Sequence, residues 1–115
     1  MRIDHFQLAI PAGSEDICRP FWHAAGFVEV EKPVALQGRG GLWFAWQSAA
    51  VHLGVDPAFT PATKAHPGFA VSDPDCRAKA LDATDHTIDW DSAIAGRERF
   101  FTKDPVGNRI EFLED

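Results

Sequence analysis

The amino-acid sequence predicts an α+β fold made of two sequential βαβββ modules, whose curved, mostly antiparallel sheets form half-barrels with the helices on the outside. Three observations lead there. Strand-like stretches alternate apolar and polar residues, a helix-like stretch follows the first strand of each half, and the two halves repeat one another at a near-constant spacing. His5 and His66 are 61 residues apart, the Cys-Arg pairs that begin at Cys18 and Cys76 are 58 apart, and His52 and Glu111 are 59 apart.

The first module spans 1–56. Ile3 to Ile10 alternates, with Phe6, Leu8 and Ile10 on one face and His5, Gln7 and Ala9 on the other, as a half-buried strand requires. Pro11-Ala12-Gly13 interrupts it, Ser14 is placed to cap a helix, and Glu15 and Asp16 suit the positive N-terminal end of the helix dipole. Ile17, Phe21 and Ala24 supply a buried stripe, and Gly26 ends the helix. Pro20 within the run is expected to kink it or delay its start. Strands follow around Phe27 to Val30, Gly41 to Trp46 and Ala50 to Val55, separated by glycine and polar residues.

Residues 57–64 read as a linker, being rich in proline and small side chains. The second module, 65–115, repeats the order. It opens with a strand from His66 to Val71, then a helix started by Asp73 and Pro74 and running to about Thr84. Its last three strands are expected near Thr87 to Trp90, Arg97 to Thr102 and Arg109 to Leu113.

With 115 residues, 45% of them apolar and 24% charged, the chain is sized and composed as one soluble globular domain. Its formal net charge of −6 speaks against nucleic acid or an anionic membrane as partner, because each demands a basic face. No stretch is long and apolar enough for a membrane span, and Met1 to His5 has no export-signal character, so a cytoplasmic location and reduced Cys18 and Cys76 are expected.

His5, His52, His66 and Glu111 each occupy a strand whose neighbours point apolar groups the other way. With the first and last strands of each repeat central in a curved sheet, the four side chains would converge on its concave side. Imidazole nitrogens and a carboxylate oxygen suit Zn, Fe, Mn, Ni or Co. Gln7 shares the face of His5 and is placed to orient a ligand or touch substrate. Arg97 and Arg99 alternate along one strand and are candidates to hold a substrate carboxylate or phosphate. Trp43 and Trp46 must face opposite ways, so one of them is available to line the pocket, and Trp43 is the candidate. Arg39 and Lys64 lie near loops and receive no role. No Gly-rich phosphate loop, serine nucleophile elbow or CxxC pair is present, which removes several common enzyme classes.

Three stretches carry a resemblance: Ile3-Asp4-His5-Phe6-Gln7-Leu8-Ala9-Ile10, His66-Pro67-Gly68-Phe69-Ala70-Val71, and Asp104-Pro105-Val106-Gly107-Asn108-Arg109-Ile110-Glu111-Phe112. With them the chain resembles the vicinal oxygen chelate superfamily, which includes glyoxalase I, fosfomycin resistance proteins, extradiol dioxygenases and bleomycin resistance proteins. The resemblance implies that His5, His66 and Glu111 fall on three shared metal positions, and that His52 falls on a fourth that is often Glu or Gln in the glyoxalase and epimerase branches. This departure leaves Glu111 as the sole carboxylate, the group to move a proton, and speaks against a glyoxalase reaction on a glutathione adduct. The resemblance further implies a divalent metal acting as Lewis acid on a small oxygen-rich substrate, in a lyase, isomerase, transferase or dioxygenase reaction. It also implies a homodimer whose sites are shared between chains. The alternative it leaves open is a metal-free small-molecule or antibiotic-binding protein of the bleomycin-resistance type.

Overall fold

Strand β1 (Phe6–Ile10) lies parallel against β4 (Ala49–Val55), and β4 continues antiparallel through β3 (Leu42–Trp46) to β2 (Val28–Val30), giving a sheet of order β1-β4-β3-β2. The second sheet repeats the pattern with β5 (Gly68–Val71), β8 (Arg109–Glu114), β7 (Arg99–Lys103) and β6 (Asp89–Asp91), in the order β5-β8-β7-β6. A helical crossover after the first strand of each module brings β2 and β6 in along the direction of β1 and β5, so the meander that follows ends parallel to its own first strand. These relations are taken from a computed structural model that describes residues 1–115.

Register makes the repeat explicit. Gln7 pairs with His52 in the first sheet, and Gly68 pairs with Glu111 in the second, each two residues beyond the histidine of its module. The first strands are edge strands, however, and not central as expected, because each makes one ladder, with β4 or β8, and none on its other side. His5 and His66 accordingly stand just ahead of β1 and β5 instead of inside them. Pro67 has no N–H to give a ladder, yet its carbonyl accepts from the Glu111 N–H at 3.0 Å and carries the pairing back toward His66.

Helix α1 (Glu15–Ala24) contains Pro20 without delay or early termination. Phe21 and Trp22 beside it are fully buried. Aromatic anchors of that kind are worth roughly 3–5 kcal/mol each against truncation, more than the ~3 kcal/mol cost of an internal proline. Ser14 occupies the N-cap position but makes no capping bond; its hydroxyl donates instead to the Pro11 carbonyl at 2.7 Å. Asp73 does cap helix α2 (Pro74–Asp82), accepting from the Cys76 N–H at 2.8 Å. Gly26 follows α1 with φ of +101°, and an added Cβ would stand 2.8 Å from Arg77 Nη1. That guanidinium donates to the Ala24 carbonyl at 3.3 Å, so a residue of α2 closes the end of α1. A 3₁₀ helix over Val34–Arg39 has no counterpart in the sequence reading.

One apolar cluster of 17 residues joins the two modules. Phe69 is its hub, with ring centroids 5.2 Å from Phe27, 5.7 Å from Phe112, 6.3 Å from Phe6 and 6.4 Å from Trp22. Truncation of Phe69 to Ala is expected to cost roughly 3–5 kcal/mol. Cys18 is buried and Cys76 exposed, and both are free thiols, as expected. No helix is long and apolar enough to cross a membrane.

Candidate functional site

On the first sheet, cross-strand register aligns three aromatic rings into a row. His52 pairs with Trp43 on β3, their rings parallel with centroids 3.8 Å apart, and His5 stacks on His52 at 4.1 Å. Nδ1 of His5 lies 2.8 Å from the Asp4 carboxylate, which can only accept, so that nitrogen carries the proton and Nε2 is left with its lone pair. Burial, and next repulsion from His5 when that ring is protonated, hold the His52 imidazole below its ordinary range, while Asp4 opposes them. Gln7 lies across Gly54, where a Cβ would stand 2.8 Å from the amide nitrogen. Val28 and Val30, opposite Ala45 and Trp43, extend the same face as an exposed apolar wall.

The second sheet presents charge instead. Glu111 is engaged at both oxygens: His66 Nε2 is 3.1 Å from Oε2, and Arg99 Nη1 donates to Oε1 at 3.0 Å. Arg99 also donates from Nε and Nη2 to Asp91 Oδ1 at 3.2 and 3.0 Å. Its own basicity is raised by Glu111 first and Asp91 second, while Asp91 is held below the usual carboxylate range by the Ala93 N–H and then by Arg99. His66 Nδ1 is anchored 2.9 Å from the Lys64 carbonyl, which also accepts from Arg109 at 3.1 Å. Arg109 lies 4.0 Å over the Phe101 ring. Gly68 makes room for the carboxylate, since a Cβ there would sit 3.1 Å from Glu111 Oε2.

No family model matches the sequence, and no curated protein does so significantly. Solved structures do. A structure described as a glyoxalase family protein from Bacillus anthracis is 40% identical over 100% of this chain and 95% of its own, with a TM-score of 0.95. The chain belongs to the glyoxalase family. Two more distant structures share the fold alone: lactoylglutathione lyase from Agrobacterium tumefaciens, 17% identical over 95% of this chain and 91% of its own with a TM-score of 0.69, and an antibiotic-binding protein from a Streptomyces species, 18% identical over 99% and 98% with a TM-score of 0.71. Membership of that family, shown by the 40% identical relative, agrees with the resemblance to the vicinal oxygen chelate superfamily.

In this glyoxalase family chain the four residues singled out as metal ligands fall into two pairs, His5 with His52 and His66 with Glu111, each on its own sheet. Nowhere within the single chain do three His, Cys, Asp or Glu side chains converge closely enough to hold a metal ion. The donor chemistry of each pair still fits a divalent ion. Nδ1 of His5 is held by an oxygen acceptor, which leaves Nε2 as its donor atom, and His66, held at Nδ1 by the Lys64 carbonyl, has its Nε2 against the Glu111 carboxylate that would be its fellow ligand. Arg99 joins the Glu111 set, whereas Arg97 stands before β7, exposed, and donates to the Glu114 carbonyl at 2.7 Å. Trp43 shares the face of His52, and Trp46 turns to the core side near Phe27. The sequence reading passed over Asp4, Asp91 and Arg109. Asp4 was detectable as a carboxylate adjoining His5; Asp91 and Arg109 matter only through pairing across strands, which the linear sequence does not display.

Proposed function

We propose that the protein is a metal-dependent enzyme of the glyoxalase/dioxygenase type, in which His5, His52, His66 and Glu111 hold a divalent ion (Zn, Fe, Mn, Ni or Co) and a small oxygen-rich substrate binds beside it. The observation that carries this reading is the His66–Glu111 pair: an imidazole whose Nδ1 is anchored on a backbone carbonyl presents Nε2 to a carboxylate oxygen at 3.1 Å. When bound, the ion would supply Lewis acidity toward developing negative charge on substrate oxygen. Glu111 is the catalytic residue in this proposal and takes or returns a proton at Oε2, while Arg99 fixes Oε1 and keeps the carboxylate oriented. Gln7 and Trp43 bound the substrate space on the facing half.

The reading includes a homodimer, because two ligand pairs carried on separate sheets are complete only when the pair of one chain meets the other pair of its partner. A second reading, a metal-free binder of a small molecule or antibiotic, is favoured by Arg99, which already neutralises Glu111 without a metal. Metal content of protein purified without an affinity tag separates the two. Near-stoichiometric metal that disappears in His66→Ala is the outcome expected of the enzyme; none under any supplementation would leave the binder.

A further inference from the structure

Beside Trp43, on the face that carries Gln7, a cavity of about 270 Å³ opens between β1, β4 and the loop that leads into β3. Gln7, Trp43, Leu36, Lys32 and Arg39 are among its walls. Its size is at the small end for pockets that enclose an organic molecule.

The charge here is unusual for this chain. The protein carries a formal net charge of −6, yet no carboxylate pairs with Lys32 or Arg39. The nearby acids are engaged by other groups: Glu29 is held by Arg19, Glu31 accepts from Gln37 at 3.2 Å, and Glu15, which reaches the Gly40–Gly41 loop itself, accepts from the Gly41 N–H at 3.2 Å. Lys32 is fixed in place by the carbonyls of Leu36 and Gly40, neutral acceptors that steady the ammonium without cancelling its charge. Arg39 makes no hydrogen bond and is exposed, so all five of its N–H donors are available.

The loop that sets Arg39 beside Trp43 is held firmly. Gly40 and Gly41 both adopt left-handed φ, +70° and +83°, and a Cβ on Gly41 would stand 2.1 Å from the Leu53 carbonyl oxygen. Only glycine allows the backbone to lie so close to β4, and this approach brings the end of the 3₁₀ helix over the cavity. An indole wall, a leucine, a primary amide and two cations without acidic partners define a receptor for a flat apolar body that bears an oxyanion.

We propose that this cavity is the substrate subsite that sets specificity, taking a small aromatic carboxylate whose ring lies against Trp43 and whose carboxylate is held by the Arg39 guanidinium. The proposal rests on the enzyme reading for its place in a reaction and names the substrate class for that site. Binding itself needs no metal.

The test is calorimetric titration of chelator-treated protein with benzoate and, as its neutral counterpart, benzyl alcohol. Saturable benzoate binding with no comparable binding of benzyl alcohol is expected. Arg39→Gln should weaken benzoate by about tenfold or more, and Arg39→Lys should recover part of the loss. Because Arg39 is exposed and unbonded, its replacement leaves the fold in place. Equal benzoate affinity in wild type and Arg39→Gln, equal binding of the alcohol, or no saturable binding at millimolar benzoate would each overturn the proposal. Metal content measured on untreated samples reports on the enzyme reading separately, so failure of one is distinguishable from failure of the other.

Discussion

His66 Nε2 stands 3.1 Å from Glu111 Oε2, although the residue that pairs with Glu111 across the ladder is Gly68. The contact exists because the ladder continues through the Pro67 carbonyl toward His66 and because Gly68 has no side chain to fill the space between. If this pair holds half of a metal site, Glu111→Gln should keep the shape, retain the fold and lose metal by at least about tenfold. Without metal its melting temperature should fall by no more than about 8 °C, the effect of roughly 1 kcal/mol. Metal analysis and thermal melts with and without chelator provide the check; unchanged metal content and an unchanged metal-induced rise in melting temperature would remove Glu111 from the site.

Gly68→Ala tests the space itself. The backbone of Gly68 is not in the left-handed region, so alanine introduces no strain there, but its Cβ meets Oε2 at 3.1 Å, tighter than ordinary contact. The carboxylate must shift by a few tenths of an ångström. We expect metal affinity to fall by about tenfold while the chain remains folded. Affinity equal to wild type, measured by competition with a fluorescent chelator, would show that the Glu111 carboxylate has slack to absorb the methyl group.

Much of this architecture was legible in the sequence, and the misses share a physical origin. The repeat is visible because a strand face returns with period two, and equivalent residues therefore recur at nearly fixed spacing: His5 and His66, His52 and Glu111. Trp43 was separable from Trp46 on the same ground, since odd and even positions face opposite ways. What alternation does not encode is which strands neighbour one another. Edge positions for β1 and β5 and the Arg99 bridge from Asp91 to Glu111 depend on pairing between distant segments, whereas the division of the ligands into His5 with His52 and His66 with Glu111 follows from the two modules. The Val34–Arg39 turn of 3₁₀ helix is too short to leave a periodic trace.

The two thiols should behave differently. Burial, and next the nearby Asp104, push the Cys18 thiol up to about 11, and the side chain is inaccessible, whereas Cys76 is exposed. Below that value Cys18 stays protonated and is a poor nucleophile. With Ellman's reagent at about pH 8, one thiol should react rapidly in the native protein and the second only after unfolding. Two rapid equivalents from native protein would contradict the placement of Cys18.

Acid should weaken the metal-free fold partly through His52. Its folded-state imidazole is held below the ordinary range by burial and by His5, so the unfolded chain takes up the proton first as pH falls. The associated stability is fully present above about pH 6.5 and is lost as the pH descends toward the depressed folded value. Chelator-treated His52→Gln should therefore show a smaller fall in melting temperature between about pH 7.5 and about pH 5 than wild type. An equal or steeper fall in the variant would assign the acid sensitivity to other groups.

The strongest test of the shared site is mixing two inactive variants. The two modules of one chain are fastened through Phe69 into a body of 45 × 29 × 25 Å, with His5 and His52 on one sheet and His66 and Glu111 on the other. The linker does not force either pairing, since eight extended residues reach up to ~28 Å. Two-fold symmetry then asks the first pair of each chain to face the second pair of its partner. A His5→Ala dimer lacks His5 in both sites, and a Glu111→Gln dimer lacks the carboxylate in both. In a mixed dimer, one site carries both defects and the other carries neither, because its His5 comes from the Glu111→Gln chain and its Glu111 from the His5→Ala chain. Random exchange of equal amounts makes about half of the dimers mixed, each with one of two sites restored, so metal content should recover to about a quarter of wild type. Sites contained within one chain would recover nothing after the same exchange, and a protein that sediments as a monomer would defeat the proposal outright.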